Sequence, residues 1–318
     1  MTARSAVSRA AWALVGAALV VAGLSGSAAA TITATPQPMA APGPAAASAA
    51  AAQHVPTTGP AGQRYVALGD SYTSSPFTGP PAGPPPGCLR SLNDYPHVVA
   101  SGAGASLTDV SCSGATTREF ANPQTVQGGS NPPQYGALGR NTQLVTVGIG
   151  GNDIGFSEIV RSCVSPTPVG SPCKDRYTAG GTDQLRARIA ALGPKLATVV
   201  NEVKKRSPSA KVLLVGYPSV LPADGPGCYP AVPYTPDDVA YLRGILSTLN
   251  DRIAAEARKG GATYVDTATP TLGHDVCQVP GVKWIEGLVP TAPAAPVHPN
   301  ALGSDALGRA VLATLARD

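Results

Sequence analysis

Charge is scarce in this chain. Asp, Glu, Lys and Arg make up 13% of its 318 residues, against 43% hydrophobic, which excludes a disordered polyelectrolyte and a long charged coiled coil. Aromatics reach only 5%, so an apolar core must be built mainly from aliphatic side chains. Arg4 and Arg9 are the only charges in the first 62 residues, and beyond them 21 basic groups face 19 acidic ones. That near-balance argues against the concentrated basic face of a nucleic-acid binder. There is no CxxC pair, which removes the signature of zinc ribbons and thioredoxin-like redox sites. His54, His97, His274 and His298 include no pair at metal-helix spacing, so a zinc protease is not expected. No apolar run reaches the roughly 20 residues of a bilayer-spanning helix.

The N-terminus carries export signals instead. Arg4 and Arg9 precede an apolar stretch from Ala10 to Leu24, and Ser27-Ala28-Ala29-Ala30 offers small residues for cleavage, so residues 1–30 read as a signal peptide and the protein as secreted, without a permanent membrane anchor. Residues 31–62 hold 11 Ala and 6 Pro but no Asp, Glu, Lys or Arg; such a segment lacks the branched apolar surface needed to offset its ordering entropy and reads as a disordered pro-segment or linker. Residues 63–318 are then expected to form one domain. Its six cysteines, in an oxidising compartment, favour three disulfides, and of fifteen possible pairings sequential neighbours are expected: Cys88–Cys112, Cys163–Cys173 and Cys228–Cys277. Each would close a loop rich in Gly and Pro.

Apolar runs without polar alternation, Arg64 to Gly69, Gln143 to Gly148, Lys211 to Gly216 and Ala262 to Asp266, read as strands covered on both faces. Between them lie helical periodicities, Thr182 to Arg206 and Thr235 to Lys259, and a last one from Ala301 to Arg317. Gly193-Pro194 is expected to break or kink the first of these. Alternating strands and helices give an α/β fold, a doubly wound, mainly parallel sheet with sites at the carboxyl ends of its strands.

Four motifs fall at such ends. Gly69-Asp70-Ser71-Tyr72 follows the first strand; it is not the G-x-S-x-G elbow, since Thr73 fills the last position, and taken alone it reads as a helix cap. Ser111-Cys112-Ser113-Gly114 follows a strand near Leu107 to Val110, where Gly114 can expose its N–H to an anion. Gly150-Gly151-Asn152-Asp153 brings an Asn amide close to a neighbour, and Asp153 spoils the G-x-G-x-x-G spacing of a dinucleotide site. His298, in Val297-His298-Pro299-Asn300 before the last helix, can serve a Ser as general base.

Together and in this order, GDSY, Gly114, GGND and HPN resemble the SGNH hydrolases, the GDSL esterase/lipase family, and with the six cysteines look closest to its secreted actinobacterial lipases and esterases. The resemblance implies a flavodoxin-like three-layer α/β/α sandwich, Ser71 as nucleophile, His298 as general base, and an oxyanion hole from the Ser71 and Gly114 N–H groups and the Asn152 side chain. Many members place Asp three residues before the His; here that residue is Ala295. The resemblance therefore implies a backbone carbonyl near Ala295 orienting His298, with Asp266 and Asp275 as competing carboxylates. The reaction implied is hydrolysis of fatty-acyl esters, phospholipids included, through an acyl-enzyme, with no metal or organic cofactor and with a small-molecule or lipid ester as partner. Two alternatives accompany it: a carbohydrate O-acetyl esterase, and an inactive secreted binding domain. A monomer is expected. The Pro-rich loop from Pro76 to Gly87 is expected to wall one side of the cleft, and Val160 to Gly181 and Gly216 to Pro233 read as similar long loops that disulfides would tie down.

Overall fold

The computed structural model describes residues 62–317. The expected signal peptide, and all of the expected linker but its last residue, lie outside the described residues. The described chain runs β1 (Gln63–Gly69), α1 (Ser71–Ser74), α2 (Tyr95–Ala103), β2 (Ala105–Asp109), the short hairpin β3 (Gln124–Val126) and β4 (Gly129–Asn131), β5 (Leu144–Gly148), α3 (Phe156–Ser162), α4 (Pro172–Thr178), α5 (Gln184–Arg206), β6 (Lys211–Val215), α6 (Pro236–Lys259), β7 (Thr263–Val265) and α7 (Ala301–Leu315).

Five strands form one parallel sheet in the order β2-β1-β5-β6-β7. Tyr65 of β1 lies in register with Leu107 of β2 and with Leu144 of β5. Counting these five strands alone, the order is 2-1-3-4-5, the flavodoxin-like winding. All of β5 is buried, because helices cover both faces and leave no polar side for alternation to mark. On one face Val66, Leu68, Val145, Val147, Val212 and Leu214 meet Leu185, Ile189, Leu196 and Ile253 of α5 and α6. On the other Tyr65, Ala67, Leu144, Leu213 and Val265 meet Tyr95 and Val99 of α2 and Leu307 and Val311 of α7. Each such aliphatic side chain contributes about 2 kcal/mol by leaving water.

Local chemistry fixes the helix starts. Thr235 caps α6 by accepting the Asp238 N–H, with Pro236 at the first helical position. The buried Asp238 carboxylate accepts the Cys173 and Lys174 N–H groups, which pins the start of α4 onto α6. Two expectations change: the helix break at Pro194 is not observed, and one loop holds a helix. Helix α5 runs unbroken through Pro194: one interior hydrogen bond is lost, at about 3 kcal/mol, but buried Leu192, Leu196, Val199 and Val200 hold the helix against the sheet and α6. The segment 160–181, read as loop, contains α4. The expected cysteine pairing is the one observed, Cys88–Cys112, Cys163–Cys173 and Cys228–Cys277. Among the described residues no helix is long and apolar enough to cross a membrane.

Candidate active site

The winding changes direction between β1 and β5, and in open α/β sheets the crevice at that switch point is where ligands bind. There Gly69 and Gly148 lie side by side. A Cβ on Gly69 would sit 2.1 Å from Thr73 Oγ1 and 2.7 Å from the Gly148 carbonyl oxygen, so no other residue fits before the turn. Asp70 caps α1, its Oδ1 accepting the Tyr72 N–H at 2.9 Å, and Ser71 opens the helix with its Oγ free to reach across. It reaches His298: Oγ lies 2.7 Å from Nε2.

The other imidazole nitrogen decides the tautomer. His298 Nδ1 is 2.7 Å from the Pro296 carbonyl oxygen, which can only accept. Nδ1 therefore carries the proton, and Nε2 accepts from the Ser71 hydroxyl. Desolvation holds the imidazole below its ordinary pKa, against the opposing pull of the Pro296 bond, so the ring stays neutral and ready to take a proton. The carbonyl in question is that of Pro296, one residue beyond the expected Ala295; the Ala295 oxygen instead accepts the His298 backbone N–H at 3.2 Å. Between them Val297 sits at φ 60°, a left-handed conformation that costs a β-branched residue about 1–3 kcal/mol. That turn folds the Pro296 carbonyl back under the ring. It is held by the Tyr72 hydroxyl, which donates to the Val297 oxygen at 2.6 Å, and by the Val297 N–H, which donates to Gly287.

Neither competing carboxylate reaches His298. Asp266 Oδ1 accepts the N–H groups of Ala268 and Thr269, and buried Asp275 accepts from the Cys277 N–H and the Gln278 amide. Glu286 comes near from the other side. Its N–H donates to the His298 carbonyl, while its carboxylate accepts from Thr291 and from Asn300 Nδ2. Asn300 caps α7 with its Oδ1, so the last residue of the HPN motif anchors the histidine segment to a helix end.

Three loops surround the dyad, and they are tied to one another. Gly114, at φ 80°, takes a conformation open to glycine at no steric cost. Among the described residues, the Ser71 and Gly114 N–H groups meet no acceptor. Asn152 Nδ2 donates one proton to the Ala115 oxygen at 2.9 Å, leaving the other uncommitted. Asp153 locks the same two loops: its carboxylate accepts the Thr117 N–H and hydroxyl at 2.9 and 2.7 Å, and Lys195 Nζ at 3.1 Å. Asp70 links to the β5 loop, since Tyr217 Oη donates to Asp70 Oδ2 at 2.6 Å and accepts the Gly151 N–H at 2.7 Å. Burial pushes the Asp70 carboxyl up to about 7, opposed by the Tyr217 and Tyr72 hydrogen bonds and helped by the nearby Asp153 charge. Under the Gly114 loop, Asp109 accepts the Ser111 N–H and faces Asp94. Among the described residues the Oδ2 atoms of both meet no hydrogen-bond partner, and burial, then the Asp94 charge, pushes the Asp109 carboxyl up to about 8.

An apolar cleft of about 760 Å3, including its open mouth, begins at this site. Tyr72, Gly151, Phe156 and Val297 form the end near Ser71, and Val220, Leu221, Leu242, Ile245, Leu246 and Leu249 continue it along α6. The Pro76–Gly87 loop, expected as a wall, is not part of it; Pro76 instead accepts the Ala295 N–H. Sequence reasoning missed Tyr72, Asp153, Tyr217 and Glu286. Tyr72 and Asp153 lay inside quoted motifs, whereas Tyr217 and Glu286 carried no sequence signal. His97 and His274 stand apart, paired with Asp94 and stacked on Trp284. Among the described residues no group of three or more His, Cys, Asp or Glu is placed to hold a metal.

Such a fold, with a Ser–His pair at the head of an apolar cleft, is that of a carboxylic ester hydrolase. Residues 67–306 match the GDSL-like Lipase/Acylhydrolase family, and the chain belongs to it. It is 41% identical over 260 residues to Lipase 2 of Streptomyces coelicolor, covering 80% of this chain and 86% of that one. Among solved structures it is similar to phospholipase A1 from Streptomyces albidoflavus NA297, with 30% identity, TM-score 0.67, and 80% and 99% of the two chains covered. The extracellular lipase of Streptomyces rimosus is similar too, at 27% identity and TM-score 0.64, with 79% and 99% covered.

Proposed function

We propose that this ester hydrolase is an exported lipase/esterase that cleaves fatty-acyl esters, phospholipids among them, through an acyl-enzyme on Ser71. The observation that carries the reading is the 2.7 Å contact between Ser71 Oγ and the unprotonated Nε2 of His298, made at the head of the apolar cleft. As Oγ attacks the ester carbonyl, its proton passes to Nε2. The imidazolium is steadied by the Pro296 carbonyl, so the machinery is a dyad with a carbonyl in the place of a third carboxylate. The Ser71 and Gly114 N–H groups and the uncommitted Asn152 amide proton are the donors for the oxyanion. His298 then returns the proton to the leaving alcohol, and water, activated by the same nitrogen, releases the acid. The acyl chain occupies the cleft along α6, which has room and apolar walls but no charged group to recognise a sugar. Three disulfides and the extracellular Streptomyces relative support export to an oxidising compartment.

Hydrolysis of p-nitrophenyl esters from acetate to palmitate, with Ser71→Ala alongside, tests the reading. Turnover is expected on medium and long chains and is expected to vanish in the variant. Activity confined to acetate would replace it with a deacetylase, and Ser71-independent turnover would remove the nucleophile.

A further inference from the structure

We infer that Tyr217 is a positioning residue for the oxyanion site, its hydroxyl setting the distance between the turn that carries Ser71 and the turn that carries Asn152. The inference rests on the acyl-enzyme reading above and extends it to a residue outside the four motifs. Tyr217 follows β6 and is 4% exposed. Its Oη accepts the Gly151 N–H at 2.7 Å and donates to Asp70 Oδ2 at 2.6 Å. Asp70 immediately precedes Ser71 and Gly151 immediately precedes Asn152, so each bond lies one residue from an oxyanion donor. The other Asp70 oxygen accepts the Tyr72 N–H, which makes the carboxyl a rigid part of the nucleophile turn.

The bridge has no slack at its third end either. Asn250 of α6 clamps the Tyr217 backbone in both directions, Oδ1 accepting the Tyr217 N–H and Nδ2 donating to the Tyr217 oxygen, each at 2.8 Å. The hydroxyl is therefore fixed by the sheet, by α6 and by both loops. As a wall of the cleft, Tyr217 would need only its ring, and every neighbouring wall residue on α6 is aliphatic. The buried hydroxyl is explained by the link it makes. A displacement of about 1 Å between catalytic groups can cost on the order of a hundredfold in rate, so a tie of this length is worth holding.

Tyr217→Phe keeps the ring and releases the tie. With p-nitrophenyl acetate and octanoate, kcat is expected to fall about tenfold to a hundredfold on both esters, with KM within about twofold. Because Tyr217 acts through Asn152, a double-mutant cycle is expected to be strongly non-additive: Tyr217→Phe should cost less than about twofold in the Asn152→Ala background. A KM rise confined to octanoate would make Tyr217 a cleft wall only, and unchanged kcat or losses that multiply in the double variant would each overturn the inference. If thermal melting shows that Tyr217→Phe does not fold, Asn250→Ala loosens the same residue, and multiplying losses in its cycle with Asn152→Ala overturn the inference equally. Ser71→Ala with full turnover would instead remove the underlying reading, whatever the cycle gives.

Discussion

At the residue scale, the unusual feature is that His298, the proposed general base, has a backbone oxygen as its partner. A carboxylate would lend the imidazolium a full charge, whereas the Pro296 carbonyl lends only a dipole; what it supplies is the tautomer and the orientation. This predicts that the two candidate carboxylates are dispensable for chemistry. Asp266→Asn and Asp275→Asn are expected to leave kcat on p-nitrophenyl octanoate within about twofold, with Asp275→Asn losing about 1–2 kcal/mol of stability through its buried hydrogen bonds. Asn152→Ala, in contrast, is expected to lose about a hundredfold to a thousandfold in kcat. A carboxylate variant that loses orders of magnitude while melting normally would contradict the dyad. Pro296 could not have been singled out from the sequence, because which carbonyl meets Nδ1 depends on Val297 adopting a left-handed conformation that its side chain disfavours. The strain at Val297 is a property of the site, visible only once Tyr72 and Gly287 are seen holding the turn.

At the scale of elements, three loops after β1, β2 and β5 are bound by buried polar ties, and two buried carboxyls among them, Asp109 and Asp70, titrate. The loop after β2 begins on Asp109, whose buried carboxyl interacts with that of Asp94, the α2 cap, with His97 and Arg90 as neighbours of the pair. In the unfolded chain an Asp carboxyl ionises near pH 4, while in the fold Asp109 keeps its proton to about 8. Between those values the folded state binds more protons, so stability falls as pH rises through this window and levels off above it. Asp70, pushed up to about 7, acts with the same sign. Asp109→Asn is neutral at every pH and is expected to flatten the decline measured by urea unfolding between pH 5 and 8, by up to about 1.4 kcal/mol per pH unit. Parallel curves for the two proteins would contradict the raised Asp109 pKa. The strands were legible because β1, β5 and β6 are unbroken apolar runs. Helix α2 was not, since its nine residues are too few for a clear period, and α5 continues past Pro194 because packing outweighs a local penalty.

At the scale of the whole molecule, the doubly wound sheet brings residues 227 positions apart in sequence, Ser71 and His298, within one hydrogen bond. The motif order made that meeting readable in advance. The cleft was not readable, because its walls come from separated segments between Tyr72 and Val297 whose apolar residues look like any core. Two of the three disulfides lie in the segments that wall it, Cys163–Cys173 after α3 and Cys228–Cys277 between the β6 and β7 loops. If α6 forms the acyl-chain wall, Leu246→Trp should fill the cleft and lower kcat/KM for palmitate about tenfold or more while leaving acetate nearly unchanged, since one misfit large side chain in an apolar site costs about 1–3 kcal/mol. Equal losses on both esters would place the chain elsewhere.

The central claim is that Ser71, activated by His298, is the nucleophile, and covalent capture tests it most directly. An alkyl fluorophosphonate should leave one adduct, located by peptide mass spectrometry on Ser71, absent from Ser71→Ala and formed at least about a thousandfold more slowly in His298→Ala. An adduct on another residue, or labelling of Ser71 at an undiminished rate without His298, would contradict the account.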